Sequence, residues 1–504
     1  MAAAARRPWA AVAGGGGGDG GPAWKRAAIG AAPVEEAPSL ASFALGLAPS
    51  AASDGALAET FAAAGAVLQQ VFGTEGAALP FGSIIQGVHL DGSDLDLAFD
   101  VPGSSPDALE IGSNGKPDNT RQVAALRRVT SGLRGSRFRV IESRLYKHMK
   151  VPIIILGYRC PSGSEIEADF SVGTMFEGTQ KGFTDRIVRR LLAHSPLALH
   201  MVRLVKLWAK VEKLNKAYDG YLNSLGWTLL VLYFLVQRGD FPASLMREEE
   251  ADEMGLGGDP STLPPPLHAA GTEDDAPSGE DLADFFEWVA GWETWWPQEL
   301  PAVDEESEKT NGITGGAWGI SLVDSMVVEV PRASKAWPDT SPFFIEDPGV
   351  RLATQRSENV ARSLKTGTWA ATLVRATAAA EALRAESEAA AGESGAPSAW
   401  CAELQRGLEA EKAAKVLAPG GQGQPQQPWG QQPPPGGQPW QRPPWQATGP
   451  VPPGHAPPAG LVRPGNFVGG CGGCGFGGGC CAGGCGCGGG CGAYGGGCGG
   501  CGGG

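Results

Sequence analysis

Asp94 and Asp96 are separated by one apolar residue in the run Ser93-Asp94-Leu95-Asp96-Leu97-Ala98-Phe99, and a Gly82-Ser83 pair stands a short spacer upstream. In an extended strand successive side chains alternate faces, so the two carboxylates share one face while Leu95 and Leu97 take the other. Like charges on one edge repel unless a cation lies between them. Oxygen ligands with water and phosphate nearby suit Mg²⁺. The Gly-Ser step supplies bare backbone and a hydroxyl, a combination able to grip a phosphate. An Asp-x-Asp alone is better explained as a solvated edge strand; the Gly-Ser pair at this distance turns the reading to metal and triphosphate chemistry.

Two-metal phosphoryl transfer holds its ions about 3.5–4 Å apart, and two carboxylates rarely suffice. Downstream, Lys150–Tyr158 is β-rich, Cys160-Pro161-Ser162-Gly163 reads as a turn, and Ser164–Val172 reads as the second strand of a hairpin. On that strand Ile166, Ala168 and Phe170 face one side, and Glu165, Glu167, Asp169 and Ser171 the other. Asp169 is the expected third ligand, and Glu167 is the alternative on the same face.

The elements that must position these groups follow from periodicity. Ser195-Pro196 starts a helix over 196–216, with Leu199, Val202, Leu204, Val205, Trp208, Val211 and Leu214 at apolar positions. Lys206 and Lys210, four apart, share a face. They either neutralise phosphates opposite the carboxylates or snorkel at the rim of the core. The next helix, about Ser224 to Arg238, is apolar nearly all round and therefore buried. Its start, Asn223-Ser224, is an N-cap whose free N–H groups suit an anion. Leu282–Trp296 crowds Phe285, Phe286, Trp288, Trp292, Trp295 and Trp296, for which helix core is preferred over an RNA-stacking platform. Residues 368–416 have helical propensity.

Composition bounds the rest. The net charge is −14, yet from Arg121 to Lys150 there are nine Lys or Arg against one acid, Glu142. A second basic stretch spans Lys181 to Lys216, and acid collects in 248–284 and 304–309. A basic channel on an acidic body fits backbone-led RNA binding, and a solvated arginine-coated helix fits the same residues equally well. No apolar stretch reaches the length of a membrane span, and the N-terminus lacks an apolar signal core, so a cytoplasmic protein is expected. Only Cys160 and Cys401 lie outside the tail, so the fold needs no disulfide. In the tail, Cys471-x-x-Cys474 and Cys498-x-x-Cys501 suggest zinc, but the irregular spacing favours low-complexity drift.

Taken in order, Gly82-Ser83, Ser93-Asp94-Leu95-Asp96-Leu97, Val151-Pro152-Ile153-Ile154 and Asp169-Phe170-Ser171 resemble the nucleotidyltransferase fold of DNA polymerase beta type. Within it the chain resembles the poly(A) polymerase and terminal uridylyltransferase family. The likeness continues through Val205–Lys210, Leu222–Trp227, Phe344–Pro348 and Ser357–Arg362, over roughly residues 40–380. The resemblance implies an α+β fold: a mixed-sheet nucleotidyltransferase (palm) lobe plus an all-helical lobe, with disordered N- and C-terminal tails. The implied layout is 1–39 disordered, 40–190 palm with a preceding helix, and 191–380 helical central and PAP-associated domain. A helical extension over 381–417 and a disordered Pro/Gln/Trp-rich then Gly/Cys-rich tail over 418–504 complete it.

The resemblance also selects Asp169 over Glu167 and implies roles. Asp94, Asp96 and Asp169 are the catalytic and metal ligands for Mg²⁺ (or Mn²⁺). Gly82, Ser83, Lys206, Lys210, Ser224 and Asp347 are the nucleotide-binding residues, with Asp347 toward the base edge or, on its residue chemistry alone, capping a turn before Pro348. Leu225 stands where the family commonly has a base-stacking aromatic, and Gly173 where relatives often carry an amide near the ribose. Uridylyltransferases of the family often have a His before the Asn matched by Asn359; Glu358 stands there, so ATP is the expected nucleotide and UTP the alternative. The expected partners are RNA 3′ ends and an NTP, with no membrane and with protein partners possible through the tails. An inactive RNA-binding scaffold is the rival reading, against which the intact Asp94, Asp96, Asp169, Lys206 and Lys210 argue.

Overall fold

Strand alternation in one stretch and helical periodicity in the next give the chain two hydrophobic cores, one built on a sheet and one on helices. The computed structural model describes residues 37–73, 77–107, 118–145, 151–176, 178–240, 261–267, 272–295, 316–331, 341–390 and 397–417. The expectations for most of the N-terminal segment, for Trp296, for Lys147 and Lys150, and for the tail with its Cys-x-x-Cys pairs lie outside the described residues.

Two capped helices open the described chain. Helix α1 (Leu40–Gly46) begins at Ser39, whose hydroxyl accepts from Ser42 N, and α2 (Ala51–Phe72) begins at Ser50, which accepts from Ser53 N. Strand β1 (Ala78–Phe81) leads into the one-turn helix α3 (Ser83–Gln86), then β2 (Leu95–Phe99), helix α4 (Thr120–Gly132), and strands β3 (Phe138–Arg144), β4 (Ile153–Arg159) and β5 (Glu165–Val172). The five strands form one sheet in the order β1-β2-β5-β4-β3. β2 and β5 are parallel and the other pairs antiparallel, so the sheet is mixed. Alternation decides its faces. Leu95, Leu97, Phe99, Leu156, Ala168 and Phe170 turn inward and bury against Leu57, Val67 and Leu68 of α2 and Leu126 and Val129 of α4. The polar residues between them face the other way. The expected hairpin joins β4 to β5 at Gly163, φ +90°, where a side chain would be strained.

Beyond the short strands β6 (Met175–Phe176) and β7 (Thr179–Gln180), helix α5 (Phe183–His194) leads to α6 (Pro196–Val211) and α7 (Ser224–Arg238). Ser195 caps α6, accepting from Ala198 N at 3.2 Å, with Pro196 in the first turn. The sequence places the end of this helix at 216; it ends at Val211. Lys213 takes a left-handed φ of 60° and Leu214 N donates to Ala209 O at 2.7 Å, so Leu214 enters the core from a turn. Helix α7 is buried over Gly226–Leu235, as its all-round apolar character requires.

Helices α8 (Gly279–Ala290) and α9 (Trp292–Trp295) follow, and then strands β8 (Gly316–Ser321), β9 (Met326–Pro331) and β10 (Phe344–Ile345) add a small sheet to the helical lobe. The described chain closes with α10 (Pro348–Thr354), α11 (Thr366–Ala390) and α12 (Ala399–Leu417). Phe285 and Phe286 are fully buried, Phe286 lying 4.6 Å from Trp208 between ring centres, and Trp288 and Trp292 pack half-buried against the same core. Phe43, Ala44 and Leu47 of α1 join this helical core and not the sheet's. Cys160 and Cys401 are free and buried. Among the described residues no helix is long and apolar enough to cross a membrane.

Candidate active site

The parallel register of β2 and β5 sets Asp96 beside Asp169. Asp94, at the mouth of β2, completes a cluster in which one carboxylate oxygen from each residue lies within 4.8 Å of the others. Asp94 is exposed and the other two are half-buried. Burial, reinforced by Asp94, Asp169 and Asp185, holds the Asp96 carboxyl well above the usual range. Burial with Asp94 and Glu167 pushes Asp169 up to about 7, against the pull of Arg144. Three mutually repelling carboxylates with hard oxygen donors fit a divalent cation. Glu167 lines the same cleft one step along β5, outside this cluster.

The Gly82-Ser83 turn lies directly over Asp96. Gly82 has φ +78°, and a Cβ there would fall on the Asp96 carboxylate, so two separate demands require glycine. The turn is anchored from α5: Gly82 N donates to Asp185 Oδ2 at 2.7 Å, and Gln86 Nε2 donates to Asp185 Oδ1 at 2.7 Å. Burial raises the Asp185 carboxyl to about 6, opposed by those two hydrogen bonds. Ser83 makes no side-chain hydrogen bond among the described residues and lines a cleft of about 640 Å³.

Across the cleft stand the lysines of α6. Lys206 Nζ donates to Val88 O at 3.2 Å, and burial lowers its pKa to about 8 against the attraction of Asp94, Asp185 and Asp96. Lys210 also lines the cleft and meets Glu411 of α12, with Nζ 3.5 Å from Oε1. At the start of α7 the cap is Asn223, whose Oδ1 accepts from Gly226 N at 2.7 Å. Ser224 is thereby left without a capping role, and its side chain lines the cleft beside Leu225.

Asp347 is placed differently. Its Oδ1 accepts from Gly349 N, Val350 N and Thr184 Oγ1, the last at 2.5 Å, so it caps α10 and ties it to α5. It does not line the cleft as Gly82, Ser83, Asp94, Asp96, Lys206, Lys210 and Ser224 do; Asp169 adjoins the cleft through its cluster with Asp94 and Asp96. Burial raises its carboxyl, and these three bonds oppose the shift. Helix α10 takes up most of the stretch between Asp347 and Asn359. Asn359 Oδ1 accepts from Ile345 N and Ala361 N, at 3.0 and 2.8 Å, and Glu358 pairs with Arg362 at 2.6 Å.

Sequence reasoning missed three groups. Asp185 carries no signal of its own in the sequence, because its partner Gly82 is remote in the chain. Lys181 is half-buried, donating to Ser171 Oγ at 2.9 Å, and burial of its ammonium pulls its pKa to about 8 against Asp100, Asp96 and Asp107. Glu411 comes from a helix with no motif. The arginine-rich stretch is paired in part: Arg137 with Glu59, Arg139 with Glu165, Arg144 with Glu142.

No family model matches the chain. A curated relative, terminal uridylyltransferase 1 of Leishmania tarentolae, is 29% identical over 146 residues. That match takes in 27% of this chain and 12% of the relative, so the chain spans a small part of that protein's length. Among solved structures, mtPAP in complex with UTP superposes with a TM-score of 0.50 at 17% identity, covering 74% of this chain and 73% of that one. Terminal uridylyl transferase 4 from Trypanosoma brucei with bound dUTP is similar at a TM-score of 0.45 and 18% identity, covering 69% of this chain and 99% of that one. The chain has the nucleotidyltransferase fold, and in fold and ordered motifs it resembles the template-independent RNA nucleotidyltransferases of the poly(A) polymerase and terminal uridylyltransferase family.

Proposed function

We propose that this chain adds nucleotides to RNA 3′-hydroxyls without a template, transferring AMP from ATP. The observation that carries the proposal is one cleft with Asp94 and Asp96 on the sheet side, Asp169 clustered with them, and Lys206 and Lys210 on the helix side. In this reading 40–190 is the palm, 191–380 the central and PAP-associated part, and 381–417 its helical extension.

Asp94 and Asp96 would hold two Mg²⁺ or Mn²⁺ ions, with Asp169 completing the site. When bound, such ions neutralise the charge of the transferring phosphoryl group and of the attacking and leaving oxygens. The chain's own residues do the remainder. Lys206, Lys210, Ser83 and Ser224 hold the triphosphate, and Asp185 keeps the Gly82-Ser83 turn aimed at it. Asp169, beside Asp96 in the cluster, would help take the proton of the 3′-hydroxyl. Positioning and charge neutralisation supply most of the rate.

The preference for ATP is supported by Glu358, which turns toward Arg362 where a base-crowding His would stand. The second reading, UTP, is favoured by the curated relative, a terminal uridylyltransferase. Primer extension on a short RNA with Mg²⁺ and each NTP separately tests both. An A ladder lost in Asp94→Ala is expected. A U ladder would replace the ATP assignment, and extension undiminished in Asp94→Ala or Asp169→Ala would end the catalytic one.

A further inference from the structure

Helix α12 forms a wall of the cleft. Its start is held by Glu386 of α11, which accepts from Ser398 Oγ and Trp400 N, each at 2.7 Å, and Trp400 and Cys401 are buried. Gly407 lies so close to Val211 of α6 that a Cβ there would run into the valine. One turn on, residue 411 falls on the same face of the helix as 407. From this anchored position Glu411 lines the cleft with Ser83, Asp94, Lys206 and Ser224, and it pairs with Lys210.

A carboxylate has the wrong charge for a wall that receives a triphosphate. Asp94 and Asp96 can be offset by cations, whereas Glu411 lies beside an ammonium that the phosphates themselves would use. The helix carrying Lys210 is already fixed by its buried core face, so the lysine needs no partner to be in place. We propose that Glu411 is an affinity-determining residue of the nucleotide site. It holds Lys210 in the empty cleft and yields it when a triphosphate arrives, so each binding event exchanges a lysine–carboxylate pair for a lysine–phosphate one. The inference rests on the reading of Lys210 as a triphosphate ligand.

The pair is partly solvated, its side chains 28% and 36% exposed, which makes the exchange modest in size. Removing the carboxylate is expected to tighten triphosphate binding by about three- to tenfold. The test is calorimetric titration of the full chain with inorganic tripolyphosphate in Mg²⁺, comparing wild type, Glu411→Gln, Lys210→Met and the double variant. Tighter binding in Glu411→Gln that disappears in the Lys210→Met background is the expected result. Weaker or unchanged binding would overturn the proposal and make Glu411 a support for Lys210 or a bystander. Tightening of equal size without Lys210 would overturn it as well, leaving a general repulsion. Should Glu411→Gln misfold, Glu411→Asp retracts the carboxylate at constant charge and is expected to shift binding the same way. Tripolyphosphate carries no base and undergoes no transfer, so this readout is independent of RNA extension. A chain that binds it but extends no primer would count against the tailing reading alone.

Discussion

At one end of the cleft Asp94, Asp96 and Asp169 face chiefly one another, and their mutual repulsion with burial drives Asp96 and Asp169 out of the usual carboxylate range. Away from the cleft, around the start of α10, Glu346 accepts from Ser321 and Ser357, Asp347 accepts from three donors, and Asn359 joins two chain segments. Both groups are acid-rich and partly or wholly buried, and both lie in segments that the sequence singles out. Their difference is in satisfaction. The first group is left in conflict, which a bound cation would relieve; the second is consumed by the architecture. Unsatisfied charge marks where a ligand belongs, and satisfied charge marks what holds the frame.

The sharpest test of this contrast is Asp96→Asn. Tailing activity should fall by about a thousandfold or more, as for loss of a group acting on transition-state charge. Because the substitution removes repulsion, the melting temperature should hold or rise; a fall of several degrees would mean that Asp96 belongs with the architectural acids. Lys206→Met comes next, raising the KM for NTP by about ten- to a hundredfold through loss of a charge-assisted phosphate contact.

Lys206 also gives a pH test. Its pKa is lowered to about 8, so the free enzyme carries this cation below that pH and loses it above. Wild-type kcat/KM should therefore decline above about pH 8, and Lys206→Met should lack that limb. Smaller again is Asp347→Ala, which removes a helix cap at a cost of about 1–2 kcal/mol in chemical denaturation. An altered ATP-to-UTP ratio at unchanged stability would instead make Asp347 a base contact and break the comparison. The smallest effect is expected at Ser224→Ala, a KM change of about threefold with no loss of stability, whereas Asn223→Ala should cost about 1 kcal/mol as the true cap.

Much of the carboxylate end was legible because strand alternation is local: period two puts Asp94 and Asp96 on one face, and a turn leads to a strand whose like face carries Asp169 and Glu167, between which the resemblance chose. The buried aromatic helices were legible for the same reason at period 3.6. What escaped depends on contacts between distant segments. Nothing near Asp185 signals that its oxygens will meet Gly82 N and Gln86, and the helical propensity of 399–417 is silent on which helix it will cover. The arginines between 121 and 144 carry a compositional signal for RNA, but Glu59 and Glu165, remote in the chain, claim two of them. The break at Lys213 escaped because Leu214 fits the helical period while reaching the core by a turn.

The pairing of β2 with β5 has a mechanical consequence. Neighbouring strands stand about 4.8 Å apart whatever side chains they carry. Asp96 and Asp169 are partners across that gap, so the separation of the backbone positions from which their carboxylates reach an ion is gauged by the strand repeat. Such a gauge cannot be retuned by degrees. Slipping β5 by one residue would turn Asp169 into the apolar layer under α2 and α4 and bring a buried side chain to the cleft. The site therefore inherits the all-or-none character of sheet registration: drift in the surrounding sequence can weaken the fold long before it blurs the distance between these two acids.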